Sequence, residues 1–450
     1  MAVRLALACL AGLAGLASLP ASALDLQQAW ELLQAQGPTY RAAVHERDAG
    51  LENRAIGRAG LLPQLSASAS RSRVDGTREE KDFLGRNTES DLDYDAEAYI
   101  VRLRQPLYNR QKFAEYRQGK QRADYSEAVF DASTQQLAVT LSGRYFDVLL
   151  TRETIDLAAA KLKAFEQQVS AAQRRFDLGD GTIIDVDQAT ARRDLAQAEL
   201  IEAQDQQVVA LRLLQEILGQ QPENLATLRE EFPTPGLQPA SLPEWLSQAK
   251  ANNPSLRAQQ FNHGLAEEEV NRAKGGHWPT LDLVLGYTDS DSDSVSTIDQ
   301  QNRYASAGVE LNMPLYAGGG VSARVRQAVA SREQAGEELN ATREEVLSAT
   351  TRQFRGVQSG EMRIRALERA VISSERAQDS ARKGFLAGTS TNLDILNAEE
   401  QVFIARRDLL EAKLRYLQAR LQLATAVGLL GEDDILQANA YLGPELVLNN

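Results

Sequence analysis

Two stretches of the sequence, RRFDLGDGTIIDVDQATA from Arg174 and RKGFLAGTSTNLDILNAEE from Arg382, carry one pattern at a constant offset of 209. Phe176 falls on Phe385, Gly179 on Gly388, Thr182 on Thr391, Asp185 on Asp394 and Ala189 on Ala398, with no gap. Two further landmarks repeat in the same order. Arg-Gln-Pro-Leu-Tyr at 104–108 answers Asn-Met-Pro-Leu-Tyr at 312–316, and Leu62-Pro63 answers Trp278-Pro279. A period of about 210 is far longer than any solenoid repeat, so the doubled unit is a whole half-domain. Whatever architecture one half adopts, the other must adopt in tandem.

Each half reads as a hairpin followed by long helices. Residues 25–60 have a helical pattern with Asp25 as N-cap. After Pro63 the period changes to two, with Leu65, Ala67 and Ala69 alternating against Gln64, Ser66 and Ser68, which predicts a strand. Strands are expected at about 64–73 and 97–106 in the first half and at about 280–288 and 304–313 in the second. The acidic stretches 75–96 and 288–303 are read as loops, with calcium binding by TDSDSDS as an alternative for the second. From about Gln111 to Leu178, and again from about Val321 to Ala387, no proline interrupts a helical pattern. Val148, Ile155, Leu162, Val169 and Phe176 recur every seven residues, the spacing of a left-handed supercoil. Helices of about 70 residues would be roughly 100 Å long. Return helices follow each glycine turn, from about Ile183 to Leu218 and from about Asn392 to Leu429. The chain therefore divides into a leader (1–23), a first repeat (24–235) with its tip turn at 177–183, a second repeat (236–432) with its tip turn at 386–392, and a C-terminal tail (433–450).

The beginning of the chain sets the compartment. Arg4, an apolar run from Leu5 to Leu19 and Ala21-Ser-Ala23 form a secretory signal peptide, with cleavage expected after Ala23. Cys9 is the only cysteine, and its spacing does not suit lipidation. Losing Arg4 leaves 48 basic residues against 62 acidic ones, a net charge of −14. That balance argues against a nucleic-acid partner. No other stretch approaches the roughly 20 apolar residues of a membrane helix, so any membrane insertion must use strands. Four strands cannot close a barrel, and lipid tolerates no open edge. Two copies would give eight strands and three would give twelve. A soluble sheet with one face on the helices is the alternative. The signal peptide and the tyrosines near strand ends (Tyr99, Tyr287, Tyr304, Tyr316) favour the membrane.

The paired hairpins introduced by Pro63 and Pro279, the Pro-Leu-Tyr after each second strand, and the doubled Phe-x-x-Gly-x-x-Thr-x-x-Asp-Val/Ile turn resemble the TolC family of outer membrane efflux proteins over about residues 25–430. The resemblance implies a mainly α fold with a membrane β-barrel portion, built from two tandem repeats and assembled as a trimeric α/β-barrel tunnel. It implies a homotrimer embedded in outer membrane lipid, whose helices reach into the periplasm of a Gram-negative cell. The partners implied are a periplasmic adaptor (membrane fusion) protein and an inner membrane ABC or RND-type transporter. The activity implied is that of a passive exit duct, for type I protein secretion or multidrug efflux, with no enzymatic step and no cofactor. A periplasmic coiled-coil adaptor or scaffold is the alternative; it explains the heptads and the signal but not the strands. A secreted hydrolase has no supporting constellation, and His45, His263 and His277 lack metal-ligand spacing.

The tip turns hold the candidate functional residues. Thr182 and Thr391 precede Asp185 and Asp394 by three, the spacing of a capping box. The resemblance implies that Asp394 also lies at the pore constriction, with Asp185, Asp187 and Asn397 beside it, giving cation preference. Where the family's best-known member has a second acid one turn on, this chain has Asn397. In the family's closed state an Arg and a Tyr on the second tip bind the partner tip; Ser390 and Phe385 stand there in this chain, so closure is expected to use other contacts. Gly179 and Gly388 suit left-handed helix ends. With Arg175, Leu178 and Thr389 they form the implied docking surface for the adaptor.

Overall fold

The computed structural model describes residues 23–222, 224–229, 231–293 and 299–447. Residues 1–22 of the expected leader lie outside them, as do residues 294–298 of the TDSDSDS loop. In chain order the elements are α1 (Leu26–Gln36), α2 (Pro38–Leu51), α3 (Asn53–Ala59), β1 (Gln64–Lys81), β2 (Asn87–Tyr108), α4 (Arg110–Asp177) and α5 (Ile183–Leu218). They continue with β3 (Asn224–Leu228), α6 (Leu242–Asn252), α7 (Pro254–Gly275), β4 (Thr280–Asp293), β5 (Asp299–Asn312), α8 (Gly320–Leu386), α9 (Asn392–Val427), α10 (Glu432–Asn439) and β6 (Leu442–Val447). The chain forms two compact units. One gathers the described residues of Met1–Ala43, Ala132–Asn253 and Val346–Asn450; the other gathers those of Val44–Asp131 and Pro254–Glu345.

The second of these units contains a four-stranded antiparallel sheet in the order β1-β2-β4-β5. Its register fixes two faces. Leu65, Ala67 and Ala69 align with Leu103, Val101 and Tyr99, these with Leu285, Tyr287 and Asp289, and Leu285 with Ala307. Leu65, Tyr99, Val101, Leu285, Tyr287, Val309 and Leu311 are all exposed on that face. The opposite face carries Ser66, Ser68, Arg102, Arg104, Asp282, Gly286, Ser306 and Glu310, by the same register. On the apolar face the side chains turn charged at Arg71, Glu97 and Arg303, so the band from Leu281 to Tyr287 runs about 20 Å along the strand at roughly 3.3 Å per residue. An outward apolar band of about 25 Å is the signature of a membrane barrel wall. The outer edges of β1 and β5 have no strand partner among the described residues.

The first hairpin corrects the sequence reading. Residues 75–96 are not a loop: β1 and β2 stay paired from Gln64↔Arg104 to Lys81↔Asn87, and the turn shrinks to Asp82–Arg86. Cross-strand ion pairs hold the extension, Arg71 to Asp95 (3.4 Å) and Glu97 (3.2 Å) and Arg73 to Asp93 (2.9 Å). The Asp82 carboxylate closes the turn by accepting from the Leu84 and Arg86 amides (2.8 and 3.0 Å). Because neither face of this ribbon is buried, the polar composition concealed its strand period. In the second hairpin, too, the strands continue into the expected loop, to Asp293 and from Asp299. Alongside the sheet, α3 and α4 approach closely: a Cβ on Gly119 would lie 2.4 Å from the Asn53 carbonyl. A glycine is required there.

The other unit is helical. Its core gathers Leu26 and Leu33 of α1, Tyr145 and Leu149 of α4, Leu214 and Leu218 of α5, Val357 and Ile364 of α8, and Tyr416 and Leu421 of α9. The expected single helix at 25–60 is three helices; Pro38 parts α1 from α2 by forcing Gly37 out of the helical region (φ −60, ψ 119). Asp25 caps α1 through a reciprocal box with Gln28. Of the expected tail at 433–450, the described residues 433–447 are not a tail. Ile435 and Ala438 of α10, with Tyr441 and Leu442, are buried in the same core, and β6 pairs with β3. Asn439 bonds Asp25 Oδ2 (3.0 Å) and the Leu26 amide (3.0 Å), stitching α10 to α1.

Candidate functional site: the two tip turns

α4 ends at Asp177 and α8 at Leu386, each in a glycine turn of the same construction. Gly179 (φ 82) and Gly388 (φ 75) take the left-handed conformation. Their amides bond Phe176 and Phe385 carbonyls at 3.0 Å in both copies, a C-terminal cap that a side chain would strain. Thr182 and Thr391 then start α5 and α9. Thr391 Oγ1 accepts from the Asp394 amide (3.2 Å), while Asp394 Oδ2 accepts from the Thr391 amide and hydroxyl (both 2.7 Å). Asp185 repeats this on Thr182 at 3.1 and 2.8 Å. The Thr391 hydroxyl, and then its backbone N–H, hold the Asp394 carboxyl below the usual Asp range. Asp394 is solvent-exposed, so its charge is available to the aqueous phase.

The copies differ by a size exchange. Arg175 of the first turn corresponds to Gly384 of the second, and Gly181 to Ser390. A Cβ on Gly181 would meet Arg175 Cβ at 3.1 Å, and one on Gly384 would meet Ser390 Oγ at 2.4 Å. Each turn thus carries one larger residue facing one glycine. The second turn also takes part in a contact absent from the sequence reading. Arg175 places its guanidinium 4.4 Å from the Phe385 ring centre, and its Nη2 donates to Asn392 Oδ1 at 3.3 Å. Arg175, expected at the adaptor surface, ties one tip to the other within the chain.

A ladder continues this connection away from the turns. Gln168 Nε2 donates to Glu399 Oε1 (3.3 Å), which also accepts from Arg382 (2.7 Å). Arg192 donates to Asn397 Oδ1 (2.9 Å) and pairs with Glu400. Lys161 reaches Glu199 at 2.7 Å and Glu400 at 3.5 Å. Leu396, fully buried, packs with Phe165 and Ala196. These contacts join the α4/α5 pair to the α8/α9 pair. They also explain the asymmetry between Asp187 and its counterpart Leu396: Asp187 is exposed, whereas Leu396 fills the seam. Asn397, at the position of the family's second acid, accepts from Arg192 rather than presenting a charge. Glu399 Oε2 and Asn392 Nδ2 are buried without a hydrogen-bond partner, polar groups left costly by their packing. Sequence reasoning missed the ladder because its partners lie about 200 positions apart. Their positions on facing heptads were the available signal.

Beside the caps stand exposed apolar side chains: Leu178 (77%) and Leu386 (86%), with Ile183, Ile184 and Leu393. Of the expected tip residues, Leu178, Gly179, Gly388 and Thr389 lie on these exposed surfaces.

A sheet with one apolar face and two open edges, together with paired long helices that end in capped turns, defines an outer membrane channel protein. The chain belongs to the outer membrane efflux protein family, whose sequence pattern matches residues 29–220 and 245–429, one match for each repeat. The alkaline protease secretion protein AprF of Pseudomonas aeruginosa is 35% identical over 421 residues, covering 92% of this chain and 86% of AprF. The proteases secretion protein PrtF of Dickeya chrysanthemi is 34% identical over 436 residues, covering 95% and 93%. Among solved structures, the Vibrio cholerae outer membrane protein VceC shares the fold with a TM-score of 0.74 at 19% identity, over 90% of this chain and 96% of VceC. The protein is an outer membrane exit duct for secretion or efflux that extends into the periplasm. Its family is one of channels rather than enzymes.

Proposed function

We propose that this duct serves one-step protein secretion. The likeness to AprF and PrtF over more than nine-tenths of the chain carries the reading, since both are named for protease secretion. Three copies would place twelve strands in the outer membrane and pair the open edges of β1 and β5 between neighbours. A periplasmic adaptor would dock on the exposed rim of Leu178, Gly179, Gly388 and Thr389, and an inner membrane ABC-type transporter would supply the energy. The duct itself performs no reaction.

In the trimer Asp394, with Asp185 and Asp187 nearby, would set an acidic constriction at the narrow end, and Asn397 would contribute no charge there. Closure would depend on the contacts from Arg175 to Phe385 and Asn392 and on the ladder above them. Opening then means separating the α8/α9 pair from the α4/α5 pair.

The test is a deletion strain, scored for export of secreted proteases and for drug sensitivity, then complemented. Retention of proteases in the cell, reversed by the gene and with drug sensitivity unchanged, is the expected result. Raised drug sensitivity with normal protease export would assign the duct to efflux instead.

A further inference from the structure

The polar face of the sheet holds a charge arrangement that the tip does not account for. The row nearest the helices opposes two acids, Asp282 and Glu310. Asp282 is nearly buried and takes an ion pair from Arg104 at 2.6 Å, so that cation is neutralised locally. The second row on carries Arg102, opposite Ser66 on one side and Gly286 on the other, with Ser306 beyond. Arg102 is exposed and makes no ion pair among the described residues. Its row neighbours Ser66, Gly286 and Ser306 are small and carry no charge. Above it this face is built largely of hydroxyl and small side chains, Ser68, Ser70, Ser72, Thr288 and Ser290.

The face opposite the apolar band is the one that looks into the lumen once the sheet is closed into a wall. We infer that Arg102 is an anion-binding residue of the barrel lumen, forming a ring of guanidinium groups that engages carboxylate-rich stretches of a polypeptide in transit. Guanidinium is suited to this because its planar fork matches a carboxylate and stays charged at any physiological pH. A serine-lined wall beyond it offers only weak neutral bonds, so a bound segment is released onward. The inference rests on the closed-barrel reading above.

The test uses the purified full-length protein in planar bilayers, with poly-L-glutamate added on the barrel side and poly-L-lysine as the opposite-charge control. Wild type and Arg102→Lys should be blocked by polyglutamate, and Arg102→Gln should need roughly tenfold more for half-block, as expected for losing a charge-assisted contact. Normal resting conductance of Arg102→Gln reports that the variant is folded and inserted. Equal block of wild type and Arg102→Gln would overturn the role of Arg102 while leaving the barrel in place. No channel from any form would overturn the barrel reading and this inference with it. If Arg102→Gln alone forms no channel, Arg102→Ala and Arg102→Lys decide: block of both at the wild-type concentration overturns the inference, and loss in Arg102→Ala alone supports it.

Discussion

Replacing Arg175 by alanine should open the duct. The substitution removes the stacking on Phe385, at 4.4 Å, and the bond to Asn392 at 3.3 Å. A cation over an aromatic ring at a partly exposed site is worth about 0.5–1 kcal/mol. A hydrogen bond from a charged donor, long as this one is, adds about 1 kcal/mol. Each protomer therefore loses about 1.5–2 kcal/mol of tip-to-tip attachment. If three protomers open in concert the total is about 5 kcal/mol, and at 1.4 kcal/mol per decade the open population rises on the order of 10³-fold. Asn392 would be left with both ends of its buried amide short of side-chain partners, which weakens the seam further. Single-channel recording of purified trimers is the assay. Arg175→Ala should show long-lived, fully open events where wild type shows only a low resting conductance, and Arg175→Lys should fall between, since an ammonium keeps the charge but not the planar stack. An Arg175→Ala trace indistinguishable from wild type would refute the assignment of closure to this contact.

Four other outcomes follow from the geometry. Asp394→Ala should weaken block of the channel by multivalent cations; unchanged block in bilayers would remove Asp394 from the constriction. Because the Thr391 hydroxyl and amide depress the Asp394 pKa, its charge, cation block and capping contribution should all persist down through the ordinary Asp value of about 3.9 and vanish only as pH falls below the depressed one; loss of block well above that range would contradict the cap. Leu396→Ala should lower stability by about 2–5 kcal/mol, since Leu396 is fully buried against Phe165 and Ala196, and thermal melting of the detergent-solubilised protein would register it. Gly388→Leu, forced into a left-handed conformation at φ 75, should abolish export while trimers still assemble; trimer loss on native gels would make the glycine a folding residue only.

Much of the molecule was legible because the chain states it twice. The offset of 209 located both turns, and Thr-x-x-Asp identified both caps with the bonds the structure contains. The hairpins were visible wherever one face is apolar, as at Leu281 to Tyr287. They were lost where Arg73 pairs with Asp93, because a ribbon bathed on both faces has no hydrophobic period. The break at Pro38 has a local signal, because the residue before a proline is pushed out of the helical region. The C-terminal strand was hidden in a short apolar segment whose partner, β3, lies over 200 residues earlier. Arg175 was the most informative miss. Its residue type suited an exposed docking surface, and only the fold brings Phe385 and Asn392 beneath it. The size exchange between Arg175 and Gly384, and between Gly181 and Ser390, was present in the aligned copies as a covarying pair, and such exchanges mark where duplicated turns have taken different jobs.

The four strands become a membrane wall only by combining copies of this chain in the outer membrane. Electron cryo-microscopy of the protein extracted from outer membranes tests this most directly. The expected result is a three-fold particle with twelve strands, β5 of each copy paired along β1 of the next, and the Leu281 to Tyr287 band facing detergent. A particle of another copy number, or a sheet whose apolar face packs on its own helices away from detergent, would contradict it.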